Sequence, residues 1–165
     1  FIEVIQWMTS SAGPFPDACV AVFAAPGEEA QAKPVLESLP KDRQVDGIAK
    51  GNPAEVAACL ARCNFYVGND SGLMHAAAAA RVPTVGVFGP SYPHLYAPFG
   101  AHTAYAQTPE TFDELIDFKG YSPNTLDRSL MVTLKTQTVI DIINGFVKER
   151  LDKNGVCLTN TAQNA

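Results

Sequence analysis

The feature that most restricts the fold is a regular alternation of short apolar segments with helical patterns. Residues 19–24 (CVAVFA) and 84–88 (TVGVF) are continuous apolar runs, which are typical of strands covered on both faces of a sheet. Residues 44–48 and 65–68 are two further predicted strands. Because short connections link alternating strands and helices, we predict an α/β fold, a Rossmann-like parallel sheet with flanking helices.

Start and stop signals place the helices between these strands. Asn52 is a typical N-cap residue and Pro53 suits the first helical position, so a helix is predicted to begin there. Asp70 opens the next helix, which extends to about residue 81. Pro34 is expected to kink a helix over residues 28–39 or to mark a later start. Further predicted elements are helices at residues 1–8 and 137–151 and a strand at 104–107, whereas residues 109–128 are polar and irregular.

Composition and charge set limits on the domain organisation and the partners. A chain of 165 residues with 47% hydrophobic and 18% charged residues suits one folded domain. We predict a Rossmann-like domain over residues 1–152 and a flexible tail over residues 153–165. The net charge of -5 argues against nucleic acid bound by a basic surface. No apolar run approaches the ~20 residues of a membrane-spanning helix, so no transmembrane segment is predicted.

The cysteines and the first residues indicate the compartment and the extent of the chain. Cys59 and Cys63 lie four residues apart without further Cys or His ligands nearby, which makes a poor zinc site. The four cysteines are therefore expected to be reduced thiols, which favours a reducing cytoplasmic compartment. The chain begins at Phe1 within a helical pattern and lacks a signal peptide. This start indicates a fragment, or a chain whose true start lies upstream.

A turn between a strand and a helix is the main candidate for a binding site. Asp70, Ser71 and Gly72 connect the strand at residues 65–68 directly to a helix, whose first N–H groups have no intrahelical partner. Such a helix end suits a phosphate or diphosphate. Gly72 removes side-chain bulk there, and Ser71 and His75 add polar groups that reach the same anion. Simple helix capping by Asp70 or Ser71 is the alternative interpretation.

Residues 70–90, DSGLMHAAAAARVPTVGVFGP, resemble the donor-site signature of glycosyltransferase family 9, the heptosyltransferases. The pattern joins Asp-Ser-Gly, a His, an Ala-rich helix, a Pro, an apolar strand and Phe-Gly-Pro. The resemblance covers residues 65–100 and extends less closely back to residue 18. It implies the C-terminal half of a GT-B fold, in which the C-terminal one of two Rossmann-like domains binds the sugar donor.

The resemblance also implies an activity. It predicts the donor-binding part of an inverting glycosyltransferase that transfers heptose or a related sugar from a nucleotide diphosphate sugar, expected to be ADP-heptose, to a lipopolysaccharide core acceptor. No metal ion and no other cofactor are expected. Ser71 and Gly72 would hold the diphosphate through backbone N–H groups, and His75 would support it. Asp70 would accept hydrogen bonds from sugar hydroxyls or orient the turn.

Three further donor contacts follow from the same resemblance. Glu29, or its neighbour Glu28, lies after a strand where the family carries an acidic residue for the nucleotide ribose. The alternative is a favourable negative charge at a helix N-terminus. Gly51 matches the place where the family's backbone lies against adenine.

The family's other functional groups lie in parts that this sequence does not match. The catalytic base is expected in an N-terminal acceptor domain, so the catalytic residue is unknown here, and whether this chain alone is an enzyme stays open. The resemblance also implies that the domain here lacks its first strand and the basic phosphate-binding residue near that strand. The implied partners are the nucleotide-sugar donor and, through the other domain, a lipid-linked glycan. The implied location is the cytoplasm, peripheral at the inner membrane.

Two other functions remain open. The first alternative is a nucleotide-binding module that does not transfer a sugar, including a degenerate one. The second is a GT-B-like sugar-nucleotide epimerase. A cluster of side chains after residue 90 lines the binding cleft or only packs; its members are Tyr92, His94, Tyr96 and Phe99.

Overall fold

The computed structural model describes residues 1–49, 51–122, 126 and 129–151. The chain separates into two compact units, Phe1–Arg62 and Cys63–Ala165. Each unit contains parallel strands with helices, and the strands are hydrogen-bonded in two sheets, one of two strands and one of three. The predicted α/β, Rossmann-like class is confirmed. The predicted tail at residues 153–165 lies outside the described residues, and the single domain over 1–152 stays a prediction.

The first unit contains two parallel strands and three α-helices. The strands β1 and β2 pair with Val20 opposite Gln44 and Phe23 opposite Ala49, so their carboxyl ends lie at the same edge. The elements are α1 (Ile2–Met8), β1 (Val20–Phe23), α2 (Glu29–Glu37), a short 3₁₀ helix (Lys41–Arg43), β2 (Gln44–Ala49) and α3 (Pro53–Leu60). The predicted strands at residues 19–24 and 44–48 are therefore confirmed with small shifts at their ends.

Local side-chain chemistry explains the start of α3. The Asn52 side chain accepts hydrogen bonds from the amides of Ala54 and Glu55, both at 3.0 Å. The Glu55 carboxylate accepts from the Asn52 amide at 3.2 Å, which completes a capping box. The predicted start at Asn52 and Pro53 is confirmed. In α2, Pro34 lies inside the helix. The helix continues there because the carbonyl that loses its donor belongs to Ala30, which is exposed and accessible to water.

The second unit is built on a three-stranded parallel sheet with the order β3-β4-β5. Gly68 of β3 lies opposite Gly86 of β4, and Phe88 of β4 lies opposite Gln107 of β5. The elements are β3 (Tyr66–Asn69), α4 (Gly72–Ala79), β4 (Thr84–Phe88), α5 (Pro93–Tyr96), β5 (Thr103–Gln107), α6 (Phe112–Ile116) and α7 (Thr136–Arg150). The end of α4 follows from Arg81, which adopts a left-handed φ of 62° and lets the Val82 amide donate to the Ala77 carbonyl at 3.0 Å.

One element contradicts the sequence prediction. Residues 109–128 were expected to be irregular, but α6 forms within them. Thr111 accepts from the Glu114 amide at 3.3 Å, and the Glu114 carboxylate accepts from the Thr111 amide at 2.8 Å. The Thr111 amide, and then the Thr111 hydroxyl, which donates to the same carboxylate at 2.9 Å, hold the pKa of Glu114 below its ordinary value. The Thr-x-x-Glu capping box outweighs the polar composition of the segment.

The core of the second unit surrounds the central strand. Every residue of β4 is buried, as the continuous apolar run predicts. Met74 of α4 packs on Gly86, since a Cβ added at position 86 would lie 2.5 Å from the Met74 sulfur and 2.7 Å from Cε2 of Phe88. Both of these side chains are fully buried. Gly86 therefore permits the close approach of α4 to the sheet.

We expect Gly86→Ala to lower the free energy of unfolding by about 1–3 kcal/mol, because the added methyl group overpacks a dense core. Urea unfolding followed by circular dichroism measures this change. Gly145→Ala in α7 is the control, since a Cβ there meets no atom within 4 Å. That variant is expected to be at least as stable as the wild type. Equal stability of Gly86→Ala and the wild type would contradict the close packing of α4.

Candidate functional site

The connection between β3 and α4 consists of Asp70 and Ser71. The Asp70 amide donates to the carbonyl of Val87 in the neighbouring strand β4 at 3.1 Å. Ser71 has extended backbone, with φ -164° and ψ 168°, and is the N-cap residue of α4. The turn is thus attached to the carboxyl end of the sheet, where open α/β folds bind their ligands.

The first turn of α4 presents backbone N–H groups next to solvent. Helix geometry leaves the first amides of α4 without an intrahelical acceptor, and the Ser71 side chain makes no capping hydrogen bond to them. Gly72 is exposed, and a Cβ added there would meet no atom within 4 Å. An anion that approaches this helix end meets N–H donors, a favourable helix dipole and no side-chain obstruction.

The other predicted residues of this turn lie close by along the chain. His75 is exposed and lies one helical turn after Ser71, whose carbonyl accepts from the His75 amide at 3.3 Å. Asp70 is half-buried. The second unit therefore holds Asp70, Ser71, Gly72 and His75 on one turn and the helix that follows it, while their contacts with a donor stay predictions.

The turn after β4 is the second part of the predicted motif. It lies beside the first turn, because β3 and β4 are adjacent parallel strands. The Ser91 amide donates to the Gly89 carbonyl at 2.8 Å, which makes the turn tight. A Cβ at position 89 would lie 2.7 Å from Cγ of Met131, so a glycine is needed where this later segment packs.

The aromatic segment that follows divides into packed and exposed members. Tyr92 packs on Phe112 with ring centroids 4.6 Å apart, and its hydroxyl donates to Asp113 at 3.1 Å. Burial raises the pKa of Tyr92, and the Asp113 carboxylate raises it further. Phe99, in contrast, is 92% exposed. A surface cavity of about 610 Å³ is lined by residues 93–95 and 97–101, and none of the predicted donor residues lines it.

The remaining predicted contacts lie in the first unit. Glu28 is exposed and precedes α2, while the Glu29 carboxylate accepts from the Gly27 amide at 2.9 Å. Gly27 has a φ of 90°, a conformation that favours glycine. Gly51 is exposed and follows β2, so it lies at the same edge of the two-stranded sheet as the segment after β1. The structure thus places Glu28, Glu29 and Gly51 at the same edge of the two-stranded sheet.

One side chain at the turn was missed by the sequence analysis. The Tyr66 phenol and the Ser71 side chain are hydrogen-bonded. Burial raises the pKa of Tyr66 more than this hydrogen bond lowers it. A Cβ at position 68 would collide with the Tyr66 hydroxyl, so Gly68 provides its space. Strand alternation in the sequence puts residues 66 and 68 on one face but does not indicate the bond to Ser71.

Neither a metal cluster nor a membrane-spanning helix is found in the described part of the chain. No three His, Cys, Asp or Glu side chains among those residues are placed to hold a metal ion. None of the helices described above is long and apolar enough to cross a membrane.

Parallel sheets with flanking helices, and a strand-to-helix turn at the carboxyl edge, define a Rossmann-like α/β protein. The sequence profile of glycosyltransferase family 9 (heptosyltransferase) matches residues 17–119, which include that turn. The chain belongs to this family, which confirms the resemblance drawn from residues 70–90.

Individual relatives agree with this assignment. The chain is 34% identical over 82 residues to lipooligosaccharide heptosyltransferase 2 of Haemophilus influenzae, covering 48% of this chain and 24% of that protein. The crystal structure of a family 9 glycosyl transferase from Veillonella parvula superposes with a TM-score of 0.68 at 23% identity, covering 90% of this chain and 40% of that one. The E. coli heptosyltransferase WaaC with ADP superposes with a TM-score of 0.60 at 24% identity, covering 87% of this chain and 37% of that one.

The coverage and identity values limit what each comparison shows. The aligned segment spans about a quarter of the Haemophilus relative. The two structures, both below 25% identity, support the shared fold alone.

Proposed function

We propose that this chain is the donor-binding part of an inverting heptosyltransferase, which transfers heptose from ADP-heptose to a lipopolysaccharide core acceptor. The observation that carries the proposal is the family match over residues 17–119, because it includes both the Asp70–Gly72 turn and α4. The geometry adds independent support, since the N-terminus of α4 has uncapped amides and an unobstructed Gly72.

The relatives point to the donor and the acceptor class. The similar structure of the E. coli heptosyltransferase WaaC is one with ADP, and the related proteins are lipopolysaccharide or lipooligosaccharide heptosyltransferases. ADP is therefore the natural first probe. The lipid-linked acceptor would be bound with the help of another domain, at the cytoplasmic face of the inner membrane.

The proposed reaction is a direct displacement at the anomeric carbon. An acceptor oxygen forms a bond to that carbon while the bond to the donor diphosphate breaks, and the configuration inverts. A base outside this chain takes the acceptor's proton, and ADP leaves with the bonding electrons. The backbone N–H groups of Ser71 and Gly72, together with His75, would stabilise the charge that develops on the departing diphosphate. No metal ion has a part in this scheme.

Calorimetry with ADP, UDP and GDP tests the proposal. We expect ADP to bind to the folded chain in the presence of EDTA, without strengthening when magnesium is added, because N–H donors and His75 replace the metal. Absence of binding by any of the three nucleotides in a sample that circular dichroism shows to be folded would contradict the donor-binding function. ADP binding that depends on magnesium would contradict the metal-free site.

His75→Ala is expected to weaken ADP binding by about 10-fold, the effect of losing one hydrogen bond to a charged group. His94→Ala is the matched control, because His94 is an exposed histidine of the same unit that follows the other turn. Its ADP affinity should equal that of the wild type. Unchanged affinity in both variants would remove His75 from the site.

A further inference from the structure

Ser71 differs from Asn52 and Thr111, the N-cap residues of α3 and α6. Asn52 and Thr111 both accept hydrogen bonds from the amides of their own helices and complete capping boxes. Serine is among the preferred N-cap residues, yet the Ser71 side chain makes no such bond to α4. It is hydrogen-bonded to Tyr66 instead. The tyrosine and the end of the helix therefore compete for one serine side chain.

A glycine in β3 makes this arrangement possible. The Tyr66 hydroxyl occupies the place that a Cβ of residue 68 would take, and Cζ of the same ring would lie 2.7 Å from that Cβ. Gly68 is buried, so a larger residue would have to displace the tyrosine. Tyr66 begins β3, and its phenol extends past Gly68 toward the turn and contacts Ser71, the N-cap residue of α4.

We propose that Tyr66 is a positioning residue of the diphosphate turn, which holds the Ser71 hydroxyl away from the amides at the helix end. This inference rests on the proposed function. With the serine held by the phenol, the first amides of α4 stay uncapped and ready to donate to phosphate oxygens. The Ser71 hydroxyl donates to the phenol oxygen, since its hydrogen bond lowers the pKa of Tyr66.

The protonation state of Tyr66 agrees with this role. Burial raises the pKa of the phenol above its ordinary value, so Tyr66 stays uncharged throughout the neutral range. The Ser71 hydrogen bond acts in the opposite direction and is the smaller effect. Removal of the Ser71 hydroxyl should therefore raise the pKa of Tyr66 further, a change that the absorbance of tyrosinate reports without any ligand.

The test is a double-mutant cycle on ADP affinity with Tyr66→Phe, Ser71→Ala and the combined variant. We expect Tyr66→Phe to weaken ADP binding about 10-fold. It should not unfold at a lower urea concentration, because the released serine caps α4. In the Ser71→Ala background, Tyr66→Phe should cause no further loss of ADP affinity. Tyr105→Phe, the same change on β5, is the control and should bind ADP like the wild type.

The outcomes separate this inference from the proposed function. Failure of the wild-type chain to bind ADP overturns both. If the wild type binds ADP and Tyr66→Phe binds it equally well, only the positioning role is overturned. If Tyr66→Phe causes the same loss of ADP affinity with and without the Ser71 hydroxyl, the positioning role is overturned too. Tyr66 would then act on the ligand or the fold without Ser71. A Tyr66 pKa that does not rise in Ser71→Ala also counts against it.

Discussion

The Gly72→Val variant is expected to bind ADP at least about 100-fold more weakly than the wild type while it unfolds at nearly the same urea concentration. A phosphate oxygen that accepts from the first amides of α4 lies about 3 Å from each nitrogen. A valine side chain at residue 72 would occupy the space through which that oxygen approaches, so more than one charge-assisted hydrogen bond is lost. The protein itself has room, since no atom lies within 4 Å of a Cβ at this position.

The control for this variant is Gly145→Val. Gly145 lies in α7, is exposed, and also has no atom within 4 Å of an added Cβ. Both variants place a β-branched residue in a helix of the same unit, so any general effect of valine on the helix appears in both. Calorimetry with ADP should show the loss only in Gly72→Val. Affinity near that of the wild type in this variant would rule out a diphosphate held at the N-terminus of α4.

The second large effect is expected from Phe88→Ala, which should lower the free energy of unfolding by about 3–5 kcal/mol. Phe88 is fully buried at the end of the central strand, and its ring packs edge-to-face against Tyr105 with centroids 5.7 Å apart. Removal of the ring leaves a cavity and also removes the contact near Gly86. Because the free energy of unfolding of small domains is only about 5–15 kcal/mol, the variant should lose a large part of its stability.

Urea unfolding followed by circular dichroism measures this loss. Phe99→Ala is the control, since the same ring is removed at a position that is 92% exposed. The control should change the free energy of unfolding by less than about 0.5 kcal/mol. If the two variants were equally stable, β4 would not be the centre of a packed core. The strand leads directly into the Gly89 turn, so ADP binding by Phe88→Ala is best measured at low temperature, where the chain stays folded.

Local sequence signals predicted most of the secondary structure. The apolar run at residues 84–88 predicted the fully buried strand β4, since its one polar side chain, Thr84, donates to the Val82 carbonyl at 2.7 Å and needs no water. Asn52 and Pro53 predicted the start of α3 through capping chemistry that involves only neighbouring residues. The same chemistry at Thr111 and Glu114 was present in the sequence but was passed over in a polar segment, which is why α6 was missed.

The candidate site was predicted in part for the same reason. Asp70, Ser71, Gly72 and His75 are close in sequence, so a strand-to-helix turn places them together whatever the rest of the chain does. Their role as donor contacts comes from the family motif and stays a prediction. Glu28, Glu29 and Gly51 depend on the pairing of β1 with β2, and they share one sheet edge only because that pairing is parallel.

The sequence by itself determined the strands, the main helix starts, the turn and the family, because each of these depends on residues that are neighbours in the chain. The tertiary structure alone decided that Gly68 lies opposite Gly86, that Tyr92 packs on Phe112 and that Tyr66 holds Ser71. The first two contacts join segments about 20 residues apart, and their geometry follows from register and helix packing. The third joins near neighbours, but a serine beside a helix caps it by default. Only the space that Gly68 leaves for the phenol allows Tyr66, in place of the helix amides, to be the hydrogen-bond partner of Ser71.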